Sequence, residues 1–197
     1  EVGSAEEFYK TLVSHWKAPT DLVLHSQESL TAFTDPDRQA VLSNFTQYMM
    51  YSDLVSYMPD DILTKVDRAS MGVGLEARVP LIDHRLVEFS WQLPQHMKVR
   101  NGEGKWILKQ VLDRYIPRNL MDRPKMGFAV PIDEWLRGPL REWAENLLDE
   151  QRLKDEGFFN VSMVREKWEQ HLSGAHQWQT LLWNVLMFQA WLEENSS

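Results

Sequence analysis

Apolar residues recur along this chain at helical spacings of three and four, and the strict alternation of a half-buried strand is nearly absent. Ser4 followed by Glu7 forms a capping-box pattern and predicts a helix through about Trp16. Pro19 then breaks the chain, and a short helix is expected around Ser26 to Leu30. Asp35-Pro36 reads as an N-cap followed by proline at the first helical position, launching a long helix toward Tyr57. Pro59 restarts it, with Ile62, Leu63, Val66, Ala69 and Val73 facing inward. Gly72 and Gly74 weaken its end, and Pro80 bars continuation.

The same reading continues downstream. Asp83 caps a helix whose Leu86, Val87 and Trp91 share a face, and Pro94 stops it. Lys105 to Tyr115 is helical, with Trp106, Ile107, Val111 and Leu112 apolar. Pro117 to Pro131 reads as an ordered loop of about fifteen residues, a length that is uncommon in a compact domain and often functional. Helices follow over Ile132–Leu136, Leu140–Leu148, Val161–Leu172 and His176–Trp191, where Trp135, Trp143, Trp183 and Trp191 are expected in the core. No repeat, low-complexity segment or long linker interrupts the pattern, so residues 1–197 read as a single helical body, all-α as given.

Composition narrows the function classes. Hydrophobic residues make up 43% of the chain and nine are tryptophan, which argues for a folded body rather than disorder. Acidic residues outnumber basic ones 29 to 21, a formal charge of −8, which disfavours nucleic-acid binding. The absence of cysteine removes disulfides, thiolate catalysis and cysteine metal sites. The six histidines show no zinc-like spacing, and no apolar run reaches membrane-spanning length. A soluble, cytoplasmic protein with no membrane partner is the expectation.

Two segments concentrate the candidate chemistry. In YMPDDILTKVDRASMGVGLEARVPLID, Tyr57 to Asp83, Glu76 and Arg78 stand among Val73, Leu75, Ala77, Val79 and Leu81. Charge there is costly unless paired or used. Glu76 reads either as the partner of Arg78, pinning a helix end, or as a carboxylate placed to act as a base or to orient a nucleophile. Arg78 reads as a buried partner for a nearby acid such as Asp83, and Asp83 as an N-cap first and a site residue second. Asp60 and Asp61 suit a helix dipole, and Asp61 also suits magnesium, a hard cation that takes few protein oxygens. In RPKMGFAVP, Arg123 to Pro131, Lys125 is either merely solvated or a point charge for phosphate oxygens, and Gly127 would let backbone approach a ligand.

Taken in order, the first of these segments, then GKWILKQVLDRYIP, then RPKMGFAVPIDEWLRGPLREW, resemble the carboxyl-terminal synthetase region of glutamine-hydrolysing asparagine synthetases. The resemblance runs continuously from about Tyr51 to Trp143 and more loosely to Trp191. It implies the helical carboxyl-terminal portion of an α/β ATP-pyrophosphatase-type synthetase domain. Such enzymes use ATP and magnesium to adenylate the aspartate side chain, and ammonia from an amino-terminal glutaminase domain then attacks the acyl-adenylate. The resemblance makes Glu76 the essential synthetase-site glutamate, sets Lys125 against phosphate oxygens beside the cofactor-binding Gly127, and puts a magnesium carboxylate in the region of Asp61. A homodimer of the full-length enzyme is compatible with it.

The chain also departs from the family. No Ser-Gly-Gly-x-Asp-Ser phosphate loop occurs in the 197 residues, nor a cysteine nucleophile for glutamine hydrolysis. The expectation is a fragment without the glutaminase domain or phosphate-loop sheet, holding half a site and inactive alone. Two other readings stay open: a related ATP-dependent amidotransferase acting on another carboxylate, and a catalytically inactive helical interaction domain.

Overall fold

The computed structural model describes residues 3–31, 34, 35, 37, 40–121 and 130–195. These residues are mainly helical, and their contacts gather into two compact units, residues 1–61 with 129–197, and residues 62–128.

The first unit opens with α1, Ala5–Val13. The Ser4 hydroxyl accepts the Glu7 amide at 3.1 Å, and the Glu7 carboxylate reaches back to the Gly3 amide at 2.7 Å. This reciprocal arrangement is what the capping-box pattern requires, although the helix stops at Val13 rather than near Trp16. Pro19 starts the short helix α2, Pro19–Leu22, whereas Ser26 to Leu30 is not helical. The Asp35 carboxylate accepts the Asp37 amide two residues on; Pro36 lies outside the described residues, and residues 40–44 are not helical, so no long helix runs from Asp35 toward Tyr57. Helix α3, Phe45–Ser52, is capped by Asn44, whose side chain accepts the Gln47 amide at 3.0 Å.

A π-helical segment, Asp53–Leu63, follows and holds Pro59 inside it. A proline ring crowds the carbonyl four residues back in an α-helix, and wider π turns relieve that crowding. Tyr9 is the buried residue of α1, edge-on to Phe45 and Tyr48, and its hydroxyl donates to the Asp53 carboxylate. Burial first, and that carboxylate second, push the Tyr9 phenol well above its ordinary pKa.

The core of this unit is built by α9 (Ile132–Arg137), α10 (Arg141–Leu147), α11 (Glu150–Glu156), α12 (Val161–Leu172) and α13 (Gln179–Asn195). Leu136, Leu148, Leu153, Trp168 and Leu186 are fully buried where these helices meet. The bounds of α12 match the periodicity to the residue, with Asn160 capping it. Helix α11 has no counterpart in the predicted pattern. Asp149 caps its start, and Gly157, at φ +71°, ends it in the left-handed conformation glycine favours. Trp143 and Trp183 pack against the core as expected, but Trp135 and Trp191 are exposed. A single bridge, Val23 with Phe159, ties the segment after α2 to this cluster.

The second unit begins with α4, Thr64–Met71. A short 3-10 turn, Pro80–Ile82, precedes α5, His84–Gln92, and α6, Gln95–Lys98. Strands β1, Val99–Arg100, and β2, Glu103–Gly104, pair antiparallel, Val99 opposite Gly104 and Arg100 opposite Glu103. Asn101 and Gly102 both hold positive φ between them, the Asn-Gly hairpin turn that the helical reading passed over. Helices α7, Trp106–Leu112, and α8, Arg118–Met121, complete the unit. The predicted loop from Pro117 therefore starts with a helical turn, and residues 122–129 lie outside the described residues.

None of the described residues of this unit is buried. Val66 and Val73, expected to face inward, are exposed, and so are Leu75, Val79 and Leu81.

Candidate functional site

The route to Glu76 starts at the end of α4. The Leu75 amide donates to the Ser70 carbonyl at 3.0 Å and the Gly74 amide to the Met71 carbonyl at 2.9 Å. Gly74 sits at φ +72°. This pair of crossed bonds around a left-handed glycine is the Schellman stop, and it satisfies carbonyls the helix end would otherwise leave open. The helix thus finishes before Glu76. Residues 75–79 have no regular structure, and the LEARVP segment lies on a surface strip rather than on a helix terminus.

Glu76 and Arg78 pair there in a fork. Arg78 Nε donates to Glu76 Oε1 at 3.3 Å and a terminal nitrogen donates to Oε2 at 3.2 Å. The side chains are 70% and 81% exposed, so solvent screens the pair and it adds little to stability. The expectation of charge forced into an apolar interior does not hold, because the neighbouring valines and leucines are themselves at the surface.

Asp83 belongs to a different pairing. Its carboxylate accepts the Arg85 amide at 2.9 Å, which caps α5, and also binds the Arg85 guanidinium at 2.9 and 2.8 Å. The Arg85 side chain first, and its amide second, hold the Asp83 carboxyl below the usual range. Arg78 is therefore neither buried nor the partner of Asp83: it pairs with Glu76, and Arg85 occupies the aspartate. The N-cap role read for Asp83 is present.

Further along the same unit, Glu103 gathers two cations from separate helices. Lys109 of α7 lies at 2.9 Å and Arg118 of α8 at 2.5 Å from the same oxygen. Lys109 first and Arg118 second hold its carboxyl below the ordinary range. This knot fixes the start of α8, just before the Arg123–Pro131 segment. The Asn-Gly dipeptide beside it is the signal that could have revealed the hairpin.

Asp60 is exposed and Asp61 half-buried in the π-helical segment of the first unit. Among the described residues, no group of three or more His, Asp or Glu side chains could hold a metal ion. Lys125 and Gly127 lie outside the described residues. The structure thus joins Glu76 to Arg78, separates both from Asp83, and places Asp61 in the other unit.

The family model described as asparagine synthase matches residues 2–193. The chain belongs to the asparagine synthase family. The synthetase domain of that family is of the α/β ATP-pyrophosphatase type, and the helices described here are a helical portion of it. Among curated relatives, the chain is 31% identical over 143 residues to asparagine synthetase (glutamine-hydrolysing) 1 of Bacillus subtilis strain 168, covering 73% of this chain and 22% of that protein. It is 28% identical over 200 residues to asparagine synthetase (glutamine-hydrolysing) 3 of the same organism, covering 89% of this chain and 32% of that protein. With asparagine synthetase (glutamine-hydrolysing) of Homo sapiens it shares 29% identity over 139 residues, 62% of this chain and 24% of that protein. The matched region is thus a third or less of the length of these relatives. No solved structure matches the chain significantly. No helix among the described residues is long and apolar enough to cross a membrane.

Proposed function

We propose that the chain is the helical carboxyl-terminal part of the synthetase domain of a glutamine-hydrolysing asparagine synthetase. In this reading the complete enzyme is a cytoplasmic ligase, with or without homodimerisation. It uses ATP and magnesium to activate aspartate, and ammonia released by a glutaminase domain aminates it. The observation that carries the reading is the Glu76 carboxylate, open to solvent and paired among the described residues with Arg78, just past a glycine-terminated helix.

Each residue has a chemical part. Glu76, oriented by the guanidinium, accepts a proton from the ammonia nucleophile or aligns it on the activated carboxylate. Lys125 supplies positive charge to the departing pyrophosphate, and Gly127 lets the backbone come close to it. Asp61 is a hard oxygen donor of the kind magnesium accepts, as one ligand among substrate phosphates and waters. Arg78 positions Glu76, and Asp83 holds the start of α5. The phosphate loop, the sheet and the glutaminase domain lie in sequence other than these 197 residues, so the chain alone is expected to be inactive.

The exposed apolar strip of Val73, Leu75, Val79 and Leu81 favours a second reading, a helical module used only for assembly. Acceptor choice separates these possibilities. In the full-length protein, ATP-dependent pyrophosphate release should require aspartate above other carboxylates. Release driven better by another carboxylate would move the assignment to a related amidotransferase, and no release with any acceptor would leave the assembly module.

A further inference from the structure

A concave site lies in the first unit, well apart in sequence from Glu76 and Lys125. The turn between α1 and α2 contributes His15, Trp16 and Lys17, α12 contributes Met163 and Lys167, and the approach to α13 contributes Trp178. They line an open cleft of about 360 Å³, within the range of small-molecule sites.

Lys167 sits between two indoles, its Nζ 4.0 Å from the Trp178 ring centroid and 5.6 Å from that of Trp16. No carboxylate of a described residue comes within salt-bridge reach of it. Trp178 is fixed by its Nε1 donating to Gln170 at 2.7 Å, and His15 is held by Asn184 at 3.3 Å. Trp16 Nε1 is buried and has no hydrogen-bond partner. The lining therefore offers two flat apolar faces, an ammonium with unused donors and a second lysine. Asp21 is the only acid among the lining residues. In a chain carrying a formal charge of −8, that is a local reversal of sign.

The geometry points to a binding site for a small aromatic anion, its ring against the indoles and its carboxylate, sulfonate or phosphate on Lys167. Held by rings on both sides, the ammonium keeps its position while its donors remain available to oxygen. An uncharged ring of the same size gains the apolar contact and loses the ionic one. The site does not depend on the synthetase assignment.

Isothermal titration of 1-naphthoate and of uncharged 1-naphthalenemethanol into the 197-residue chain tests this. The site predicts saturable binding of 1-naphthoate, and binding of the alcohol weaker by about tenfold or more. Lys167→Met, which keeps the stem and drops the charge, should weaken 1-naphthoate by a similar factor, while Lys154→Met should not. Should the lysine variant fail to fold, the comparison of acid with alcohol on the unaltered chain still decides. Equal affinity for acid and alcohol, no binding of either, or full affinity in a folded Lys167→Met would overturn the proposal.

Discussion

Arg78 closes a two-point fork on Glu76, at 3.2 and 3.3 Å, and leaves Asp83 to Arg85. The consequence is a carboxylate oriented by a neighbouring guanidinium on an open surface, where binding partners can reach it. A pair exposed to this degree has little effect on folding, so its value must be sought in function.

Arg78 therefore separates the two roles. Arg78→Ala should leave the stability of the chain within about 0.5 kcal/mol of the parent, as for other surface substitutions. In the full-length enzyme the same change should lower asparagine formation, with Arg78→Lys intermediate because ammonium cannot reproduce the fork. Urea unfolding and product assays, run in parallel, check this. A large stability loss would return the pair to a structural role.

Gly74 sets where the helix ends and where Glu76 begins. At φ +72° an alanine meets no steric obstacle from neighbours, yet its Cβ disfavours that backbone conformation. Gly74→Ala should cost about 1 kcal/mol, and it should speed hydrogen exchange at the Leu75 amide that bonds Ser70. Unchanged exchange there would mean that the Schellman stop does not govern this segment.

Stability should also depend on pH through His171. The ring is fully buried, stacked on Trp168, with neither nitrogen hydrogen-bonded among the described residues and Asp133 at 3.6 Å. Burial first, then Arg137, lower its pKa, with Asp133 opposing them. The unfolded chain then takes up the proton first as pH falls below about 6.5, so acidification destabilises the fold. One group of this kind contributes a slope of at most about 1.4 kcal/mol per pH unit. His171→Leu should flatten the difference in urea midpoint between pH 7.5 and 5.5. An unchanged or steeper dependence would assign the effect elsewhere.

The sequence made some elements legible and hid others for identifiable reasons. Ser4, Asp83 and the α12 run act through contacts a few residues away, and the structure follows them. Asp35 and Asn44 are both competent caps, and local pattern does not rank them. The helix starts at Asn44, where Phe45 and Tyr48 can pack on Tyr9, a contact distant in sequence. The Asn101-Gly102 hairpin was hidden because two-residue strands carry no alternation to read.

The candidate site was legible in its residue types more than in its surroundings. Glu76 beside Arg78 was readable as a pair, but the flanking valines and leucines suggested burial. Apolar spacing marks residues that need cover and says nothing of whether these 197 residues provide it. For Trp135 and Trp191 the same limit applies, since helical spacing fixes a face and not what lies against it.

The most direct test is Glu76→Gln in the full-length enzyme, a change that keeps shape and removes only the carboxylate charge. The account predicts asparagine formation reduced at least about a hundredfold, the scale of losing one well-placed charged group, with glutamine hydrolysis retained. Near-normal asparagine formation by that variant would contradict it.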